Sequence, residues 1–361
     1  MKNKSQLEKL YILLGASIFV HYVLVILVCL LILENMIRTG EYKKIVKDRL
    51  LILIEIVLGF SLVMSVIYRN YMGLVAILIL ICIVVGRYYD LQINQKLKKE
   101  NIDLIAKLSS IAFVISILEF IITRNRVGFF SYFNPNYLGS MMMMAATLNL
   151  YLAFKRKAKI NLGLFVLNIA TLFLTGSRFA LIATVISIFV LLFYFLKKRN
   201  FLISLGLLIT YAIGVYFRVL PFIRSETIEE YFWLRVNIMK TAIIIFQKTN
   251  ILYGHGNFYY YKYTHHVYPH AHNTLIESLL SYGLIGTLIL IAVFSKYIYG
   301  ILRDDKNHIL KIAIISGVIG HSLADVTIFW IQTVILFIII LSYDESYENI
   351  YSSFIDEGVE T

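Results

Sequence analysis

Long apolar runs follow one another along almost the whole of this 361-residue chain. An α-helix needs about 20 apolar residues to cross a bilayer, and most of the runs approach that length. Hydrophobic residues make up 59% of the chain and the mean hydropathy is +0.77, whereas soluble domains are typically about 45–50% apolar. Within lipid, a run of this kind pairs its backbone polar groups by forming a helix. The sequence therefore predicts an all-α, polytopic membrane protein.

About eleven runs are candidates for transmembrane helices, and residues 221–273 form one long polar segment between two of them. The chain shows no internal repeat and no linker rich in Gly or Ser, so we expect residues 1–361 to form a single integral membrane domain. The runs occupy residues 10–33, 50–67, 71–85, 104–122, 137–154, 160–174, 179–196, 201–220, 274–299, 309–325 and 327–343.

Basic residues are concentrated in alternate loops between the runs. Loops rich in Lys and Arg remain in the cytoplasm, which accounts for the formal net charge of +12 without any nucleic-acid partner. The poorer loops, including the 221–273 segment, are then predicted to be extracytoplasmic and to carry part of an active site. The basic loops lie at residues 38–49, 87–99, 155–159, 197–199 and 303–306.

The first run leaves the topology open. Lys2, Lys4 and Lys9 precede it and the basic loop 38–49 follows it, so one crossing cannot place both charged groups in the cytoplasm. Either the N-terminus lies outside against its charge, or the run consists of two short tilted helices, which gives twelve spans. The sequence alone does not choose between these alternatives.

Arginines at the predicted outer boundary are candidates for holding phosphate. A guanidinium group is always charged and offers paired donors to phosphate oxygens, although an arginine in this position also reaches lipid headgroups. Arg178 is the strongest candidate because it lies in a turn between two apolar runs, with no other charge there to solvate. The five boundary arginines are Arg126, Arg178, Arg218, Arg224 and Arg235.

His272 is the candidate general base. It comes directly before the run that begins near Thr274, and a neutral imidazole takes a proton from a hydroxyl well at neutral pH. Asn273 is expected to cap that helix. We interpret His255, His265 and His266 as solvated loop residues. The loop has no cysteine and no helical pair of histidines four residues apart, so no metal site is predicted.

Other residues support two interpretations each. The rings of Tyr259 and Tyr260 suit the apolar faces of sugars, but tyrosines also form interfacial belts. Gly283, followed after two residues by Gly286, permits a bend or close helix packing. His321 and Asp325 are four residues apart, a spacing that lets the carboxylate hold the imidazole on one helix face and support the site.

At this point the chain resembles the O-antigen polymerase and O-antigen ligase family. His272-Asn273, nine residues and then Gly283-Leu-Ile-Gly286 match a signature of that family. Three further segments resemble family motifs in the family's order, and the resemblance spans about residues 120–330. The segments are Gly254-His-Gly256, Thr175-Gly-Ser-Arg178, and the stretch from Arg126 to Gly139 that contains Asn134-Pro-Asn136.

The resemblance implies a membrane-embedded, inverting glycosyltransferase that uses neither metal nor cofactor. Its substrate would be a polyprenyl-pyrophosphate-linked oligosaccharide at the outer face of the cytoplasmic membrane. His272 would activate the acceptor hydroxyl, and Arg178 and Arg235 would neutralise the pyrophosphate. Arg126, Asn136 and Arg218 would join Tyr259, Tyr260 and Asn273 in binding substrate. The supporting residues would be Gly254, Gly256, Gly283, Gly286, His321 and Asp325.

The motif is shared by polymerases and ligases, so both activities remain open. A composition rich in Ile, Lys, Asn and Tyr is typical of an AT-rich genome. Such a genome fits a capsule-making bacterium with a single membrane, which favours a repeat-unit polymerase of a capsular or surface polysaccharide. The alternatives are a ligase for finished glycan and a transporter of lipid-linked sugars. Membrane lipids are expected partners, and a chain-length regulator is suggested by the resemblance alone.

Overall fold

In the computed structural model, all regular structure within the described residues, 5–304 and 308–344, is helical. Lys2, Lys4 and residues 305–307 of the last basic loop lie outside these ranges. The helices are α1 Gln6–Ser17, α2 Tyr22–Thr39, α3 Arg49–Ile67, α4 Ala76–Gln92, α5 Gln95–Thr123, α6 Pro135–Arg156, α7 Lys159–Thr175, α8 Arg178–Phe195, α9 Lys198–Tyr216, α10 Ile228–Lys248, α11 Tyr259–Tyr263, α12 Thr274–Asp304, α13 Ile309–Ser322 and α14 Ile331–Leu341.

Most of these helices are suited to a membrane. In the described part of the chain, 8 segments are long and apolar enough to cross it: α2, α3, α5, α6, α8, α9, α12, and α4 with the short turn before it. Helices α7, α13 and α14 are apolar but shorter. Most boundaries lie within five residues of the predicted runs, although α5 begins nine residues before the predicted 104–122 run and α4 ends seven residues after the predicted 71–85 run. The prediction of a polytopic all-α membrane protein is confirmed.

Helix α6 forms the centre of the bundle. All but one of its residues from Pro135 to Leu152 are buried, and it packs against α5, α7, α8, α13 and α14. Helix α9 is the opposite case, since none of its residues is buried and it packs only loosely against α8. The Asn-Pro-Asn turn that starts α6 is therefore attached to the central helix of the bundle.

The first apolar run forms two helices, α1 and α2. His21 interrupts it, and its Nδ1 accepts a hydrogen bond from the Val23 N–H at 3.1 Å to cap α2. Arg38 at the end of α2 donates to Gln6 at the start of α1 at 3.1 Å, so the two helices form an antiparallel hairpin. The start of α1 and the loop after α2 therefore lie at the same end of the molecule.

The loops divide between the two ends of the bundle. At one end, hydrogen bonds join Phe19 to Tyr132, Arg126 to Thr175, Arg178 to Thr227, Asn136 to Asp325 and Asn70 to Asn257. At the other end, they join Arg38 to Gln6, Asn94 to Glu8, Arg87 to Asp48 and Arg156 to Asp103. The described parts of the basic loops are thus opposite the loops that carry the predicted site.

Helix α12 is broken at Gly283, and residues 251–256 pack into the break. The N–H groups of His255 and Gly256 donate to Leu280 and Ser281, at 2.9 and 3.0 Å. Those of Leu284 and Ile285 donate to the carbonyls of residues 251 and 252, at 2.8 and 3.2 Å. The inserted segment therefore satisfies backbone groups that the break leaves free.

Two glycines make this insertion sterically feasible. Gly254 and Gly283 have φ values of +71° and +66°, and a Cβ on Gly254 would lie 2.5 Å from the Gly283 nitrogen. Side chains are excluded at both positions by conformation and by space. Gly256 packs against Ser65, and Gly286 packs against Tyr282 and Val57. The four glycines predicted to support the site thus shape the backbone beneath it.

The 221–273 segment is not a simple loop. Helix α10 occupies 21 of its residues, and Ile238, Ala242 and Ile245 on one face are buried against α12 and against the histidine-rich residues 255–272, the histidine segment. This helix was not predicted, because polar residues surround it in the sequence. Its consequence is that Arg235 lies on a helix packed over the site.

Candidate active site

Asp325 is the centre of the candidate site. It lies in the turn between α13 and α14 and is only 1% exposed. Its Oδ1 accepts from the Val326 N–H at 2.8 Å and lies 3.2 Å from His270 Nε2. Its Oδ2 accepts from the Asn136 amide at 2.6 Å. The carboxylate therefore joins α6, the histidine segment and the α13–α14 turn.

His272 and Arg235 approach the same oxygen of this carboxylate. His272 Nδ1 is 3.9 Å and Arg235 Nη2 is 3.8 Å from Asp325 Oδ2. The His272 N–H donates to His270 Nδ1 at 3.3 Å, so His270 carries its proton on Nε2 and donates it to Asp325. His272 Nδ1 is buried without a hydrogen-bond partner among the described residues. An Nδ1 proton directed at Asp325 would leave Nε2 free to accept one.

The histidines are neutral and the aspartate is charged at neutral pH. Burial, with a smaller effect from His270, lowers the pKa of His272 to about 3. Burial also lowers the pKa of His270. Burial alone would raise the pKa of Asp325, but the three nearby histidines and Arg235 together lower it to about 2. A neutral imidazole beside a carboxylate is the state that a general base requires.

The lowered pKa of His272 predicts an unusual pH profile. Because its base form persists in the free protein well below the ordinary histidine pKa of 6.5, kcat/KM should not fall as the pH drops through 6.5. A bound anion raises the pKa of a nearby imidazole, so kcat should begin to fall at a higher pH than kcat/KM. Initial rates measured from pH 5 to 8 test this, and an acid limb of kcat/KM near 6.5 would contradict it.

Four arginines surround the turn that contains Gly176. Arg126 Nε donates to the Thr175 carbonyl at 2.8 Å, and a Cβ on Gly176 would lie 3.3 Å from that nitrogen and 3.6 Å from Arg224 Cδ. Arg178 donates to the carbonyl and the hydroxyl of Thr227, while its buried Nε has no partner among the described residues. Arg126, Arg178 and Arg224 therefore lie close together at this turn. With Arg235 on α10 they form the arginine cluster.

Positive charge in this cluster exceeds the negative charge that it contacts. Burial, followed by repulsion from Arg224, lowers the pKa of Arg126 to about 10. Burial lowers the pKa of Arg235 although Asp325 opposes the effect. The Tyr231 ring lies 5.7 Å from the Arg178 guanidinium carbon and 4.9 Å from that of Arg224, which adds only a weak attraction. A multiply charged anion such as pyrophosphate would relieve this repulsion.

Two buried glutamates hold the segments that carry these groups. Glu119 on α5 accepts from the N–H groups of Gly128 and Phe129, each at 2.9 Å, and so fixes the loop that begins with Arg126. Glu277 on α12 accepts from the Ala271 N–H at 2.9 Å, between the two site histidines. Both partnerships connect a helix to a loop, and residue spacing gave no sign of either role.

The burial of two side chains contradicts the interpretation of the sequence. Tyr260 is 2% exposed and packs beneath α10, so the interpretation of its ring as a sugar platform is wrong. Tyr259 stacks on His255 with centroids 4.2 Å apart. His255 is 0% exposed, so its interpretation as a solvated residue is also wrong, because the segment packs into the break in α12. His265 and His266 are exposed as predicted.

Three further residues that were predicted to bind substrate have different surroundings in the structure. Asn273 caps α12 as predicted, accepting from the N–H groups of Leu275 and Ile276 at 3.0 and 3.1 Å. The Asn136 side chain forms hydrogen bonds with both Asp325 and Arg126, so it links these two residues of the site. Arg218 is exposed just after α9 and forms no described contact with the arginine cluster.

The predicted helical pairing of His321 with Asp325 is wrong. Helix α13 ends at Ser322, so Asp325 lies beyond it. His321 Nδ1 lies 3.0 Å from the Thr327 hydroxyl, while the Asp325 carboxylate turns towards His270 and Asn136. His270 was given no role from the sequence. Its position two residues before His272 is the signal that could have indicated a shared site.

The ligand atoms of His270, His272 and Asp325 lie within 4.8 Å of one another, a spacing that a metal ion could bridge. However, Asn136 donates to the Asp325 oxygen that faces His272, and the Arg235 guanidinium is 3.8 Å from it. A cation there would displace a hydrogen bond and meet a fixed positive charge. The surroundings therefore favour a proton-transfer site.

The helices and the site together define a multi-pass membrane protein with a histidine–aspartate pair beside a cluster of arginines. The family model described as O-antigen ligase matches residues 163–291, from α7 into α12. The matched region contains Arg178, Arg235 and His272, whereas Arg126 and Asp325 lie outside it. The resemblance to the O-antigen polymerase and ligase family is thereby confirmed over these residues, and it supports a membrane enzyme of ligase or polymerase type. No curated protein matches the chain.

Proposed function

We propose that the protein is a polysaccharide repeat-unit polymerase that joins polyprenyl-pyrophosphate-linked oligosaccharides. One observation carries the proposal: His272 and Arg235 lie within 4 Å of the same Asp325 oxygen, beside an arginine cluster with too little negative charge. A base and an anion site placed on either side of one carboxylate are what glycosyl transfer from a pyrophosphate requires. The family match to residues 163–291 supports the same class of substrate.

The reaction is a single displacement. The acceptor hydroxyl passes its proton to His272 Nε2 as its oxygen attacks the anomeric carbon of the donor sugar. The bond between that carbon and the pyrophosphate oxygen breaks, and polyprenyl pyrophosphate leaves with the bonding electrons. Asp325 stabilises the imidazolium that forms. Attack opposite the leaving group inverts the anomeric configuration.

Arginine charge takes the place of a general acid for the leaving group. Pyrophosphate is a good leaving group once its developing charge is matched, and preorganised donors in a water-poor site are especially effective. Arg126 and Arg235 are partly buried and donate to backbone carbonyls, so they need little reorganisation. The proposed reaction needs no metal and should proceed in the presence of a chelator.

The site is proposed to face the outside of the cytoplasmic membrane. The described parts of the basic loops lie at the opposite end of the bundle, and such loops stay in the cytoplasm. Lipid-linked units presented at the outer face would then reach the arginines directly.

Product size distinguishes the proposed polymerase from its alternatives. The purified protein, reconstituted in lipid, is incubated with its lipid-linked repeat unit alone, and the products are resolved by length. We expect a ladder. Products that form only after a second, non-lipid-linked acceptor is added would identify a ligase. Absence of bond formation with every acceptor, together with transfer of the lipid across the bilayer, would identify a transporter.

Arg178→Ala should slow glycosyl transfer by about 10²-fold, since losing one preorganised donor costs about 3 kcal/mol of barrier. Arg199→Ala is the matched control, because Arg199 also lies in the first turn of a helix but is exposed at the opposite end of the bundle. Turnover of both variants is measured at saturating donor. Equal activities would contradict a role for Arg178 at the pyrophosphate.

A further inference from the structure

An apolar cavity of about 560 Å³ lies between α12 and the helices α3, α4, α13 and α14. Its walls include Leu58, Ile79, Phe294 and Phe337. Two other lining residues, Ile291 on α12 and Ile319 on α13, are each 47% exposed, so the cavity opens to the lipid-facing surface between these helices. An apolar chain can therefore enter it from within the bilayer.

One end of this cavity borders the active site. Asn273, Thr274 and Leu323 line it. Thr274 donates to the Asp325 carbonyl at 3.0 Å, and Asn273 donates to the Leu323 carbonyl at 3.0 Å. Arg235 donates to the next carbonyl, that of residue 324, at 2.6 Å. In the turn of residues 323–325, Leu323 lines the cavity and the carbonyl of the next residue accepts from Arg235. The cavity therefore ends one residue away from an arginine of the site.

The cavity also has the length of a lipid chain. Its lining on α12 extends from Thr274, at the end of the bundle that carries the site, to Tyr297, beside Arg87 at the opposite end, so it spans roughly the 30 Å hydrocarbon core of a bilayer. At the far end it meets Arg87 and Asp90, which are paired with each other, and Arg87 also pairs with Asp48. That end therefore offers no unpaired charge to an ionic ligand, and the remaining wall suits an apolar one.

We propose that this cavity holds the prenyl chain of the donor lipid while its pyrophosphate lies on the arginine cluster. The inference rests on the proposed function. A prenyl pyrophosphate carries its anion directly on the first carbon of a single chain, which matches a cavity mouth one residue from the arginine contact. A phospholipid has two chains and a glycerol spacer before its phosphate, and fits this arrangement less well.

The test measures how strongly chain length controls binding. Competition binding to the detergent-purified protein gives the relative affinities of three ligands: a long-chain polyprenyl pyrophosphate, farnesyl pyrophosphate and inorganic pyrophosphate. The wild-type protein should bind the long-chain lipid at least about tenfold more tightly than farnesyl pyrophosphate, because more apolar surface is buried. Ile291→Trp and Ile319→Trp should reduce this preference to about threefold or less by filling the cavity.

Leu288→Trp is the matched control, since Leu288 is 56% exposed on the same helix and does not line the cavity. It should keep the full preference, and all variants should bind inorganic pyrophosphate equally. Equal binding of the two prenyl lipids to the wild-type protein would overturn the cavity assignment and leave the proposed function standing. Competition by phospholipid as effective as that by the long-chain lipid would also overturn it. Failure of every pyrophosphate to bind would overturn the proposed function as well.

Discussion

Replacing His272 by asparagine should reduce glycosyl transfer by about 10³-fold, within the range that a general base contributes, and leave donor binding almost unchanged. His272 contacts no arginine of the cluster in the described structure, and its role begins when the acceptor loses a proton. Asparagine is the best replacement because His272 has φ +53°, a backbone conformation that asparagine tolerates better than alanine. Turnover and donor affinity are measured on the same preparation.

His265→Asn is the control for this variant. His265 lies in the same segment, also has a positive φ of 51°, and is exposed away from the Asp325 network. It should retain wild-type turnover. If the His272 variant kept more than about a tenth of wild-type turnover, another group would have to accept the proton.

Asp325→Asn should lower kcat by at least about 10²-fold while KM for the donor stays the same or decreases. The substitution preserves shape but removes the charge that stabilises a protonated His272. It also removes a negative charge 3.8 Å from Arg235, so the arginine cluster should attract pyrophosphate at least as strongly. Steady-state kinetics separate these effects.

A structural role alone would change both kinetic constants of Asp325→Asn together. Thermal unfolding of the variant provides the control, because Asn136 and Val326 donate to the same carboxylate. A fall in kcat with intact folding and undiminished donor affinity supports the electrostatic role. A rise in KM with unchanged kcat would contradict it.

The transmembrane helices were predictable because hydrophobic length is a local property. The predicted 50–67 and 179–196 runs correspond to α3 and α8, with ends that differ by one residue or less. The division of the first run was harder to see, since residues 18–20 are apolar and only His21 interrupts them. The decisive contact, from Arg38 to Gln6, joins residues 32 positions apart and has no local signature.

Helix α10 was missed although its pattern is present in the sequence. Ile238, Ala242 and Ile245 recur at helical spacing, but the segment also carries enough charge to resemble a loop. Its buried face is short because it packs on the histidine segment and α12, outside the main bundle. A search for helical periodicity within polar segments would have found it.

The candidate site was predictable where one residue type suggests one chemistry. His272 stood out because it directly precedes an apolar run, and Arg178 because no other charge lies in its turn, whereas the role of Arg235 came from the family resemblance. The hydrogen-bond network around them was not predictable, because Asn136 and Asp325 are 189 residues apart and meet only through folding. The burial of Tyr260 likewise depends on the packing of α10, which composition does not reveal.

Release of polyprenyl pyrophosphate is the most direct test of the central claim. The reconstituted protein is mixed with its lipid-linked oligosaccharide in the presence of a chelator, and released lipid and product length are followed together. We predict one released polyprenyl pyrophosphate for each glycosidic bond formed, with both signals abolished by His272→Asn. Unchanged release by that variant, or a strict requirement for added metal, would contradict the account.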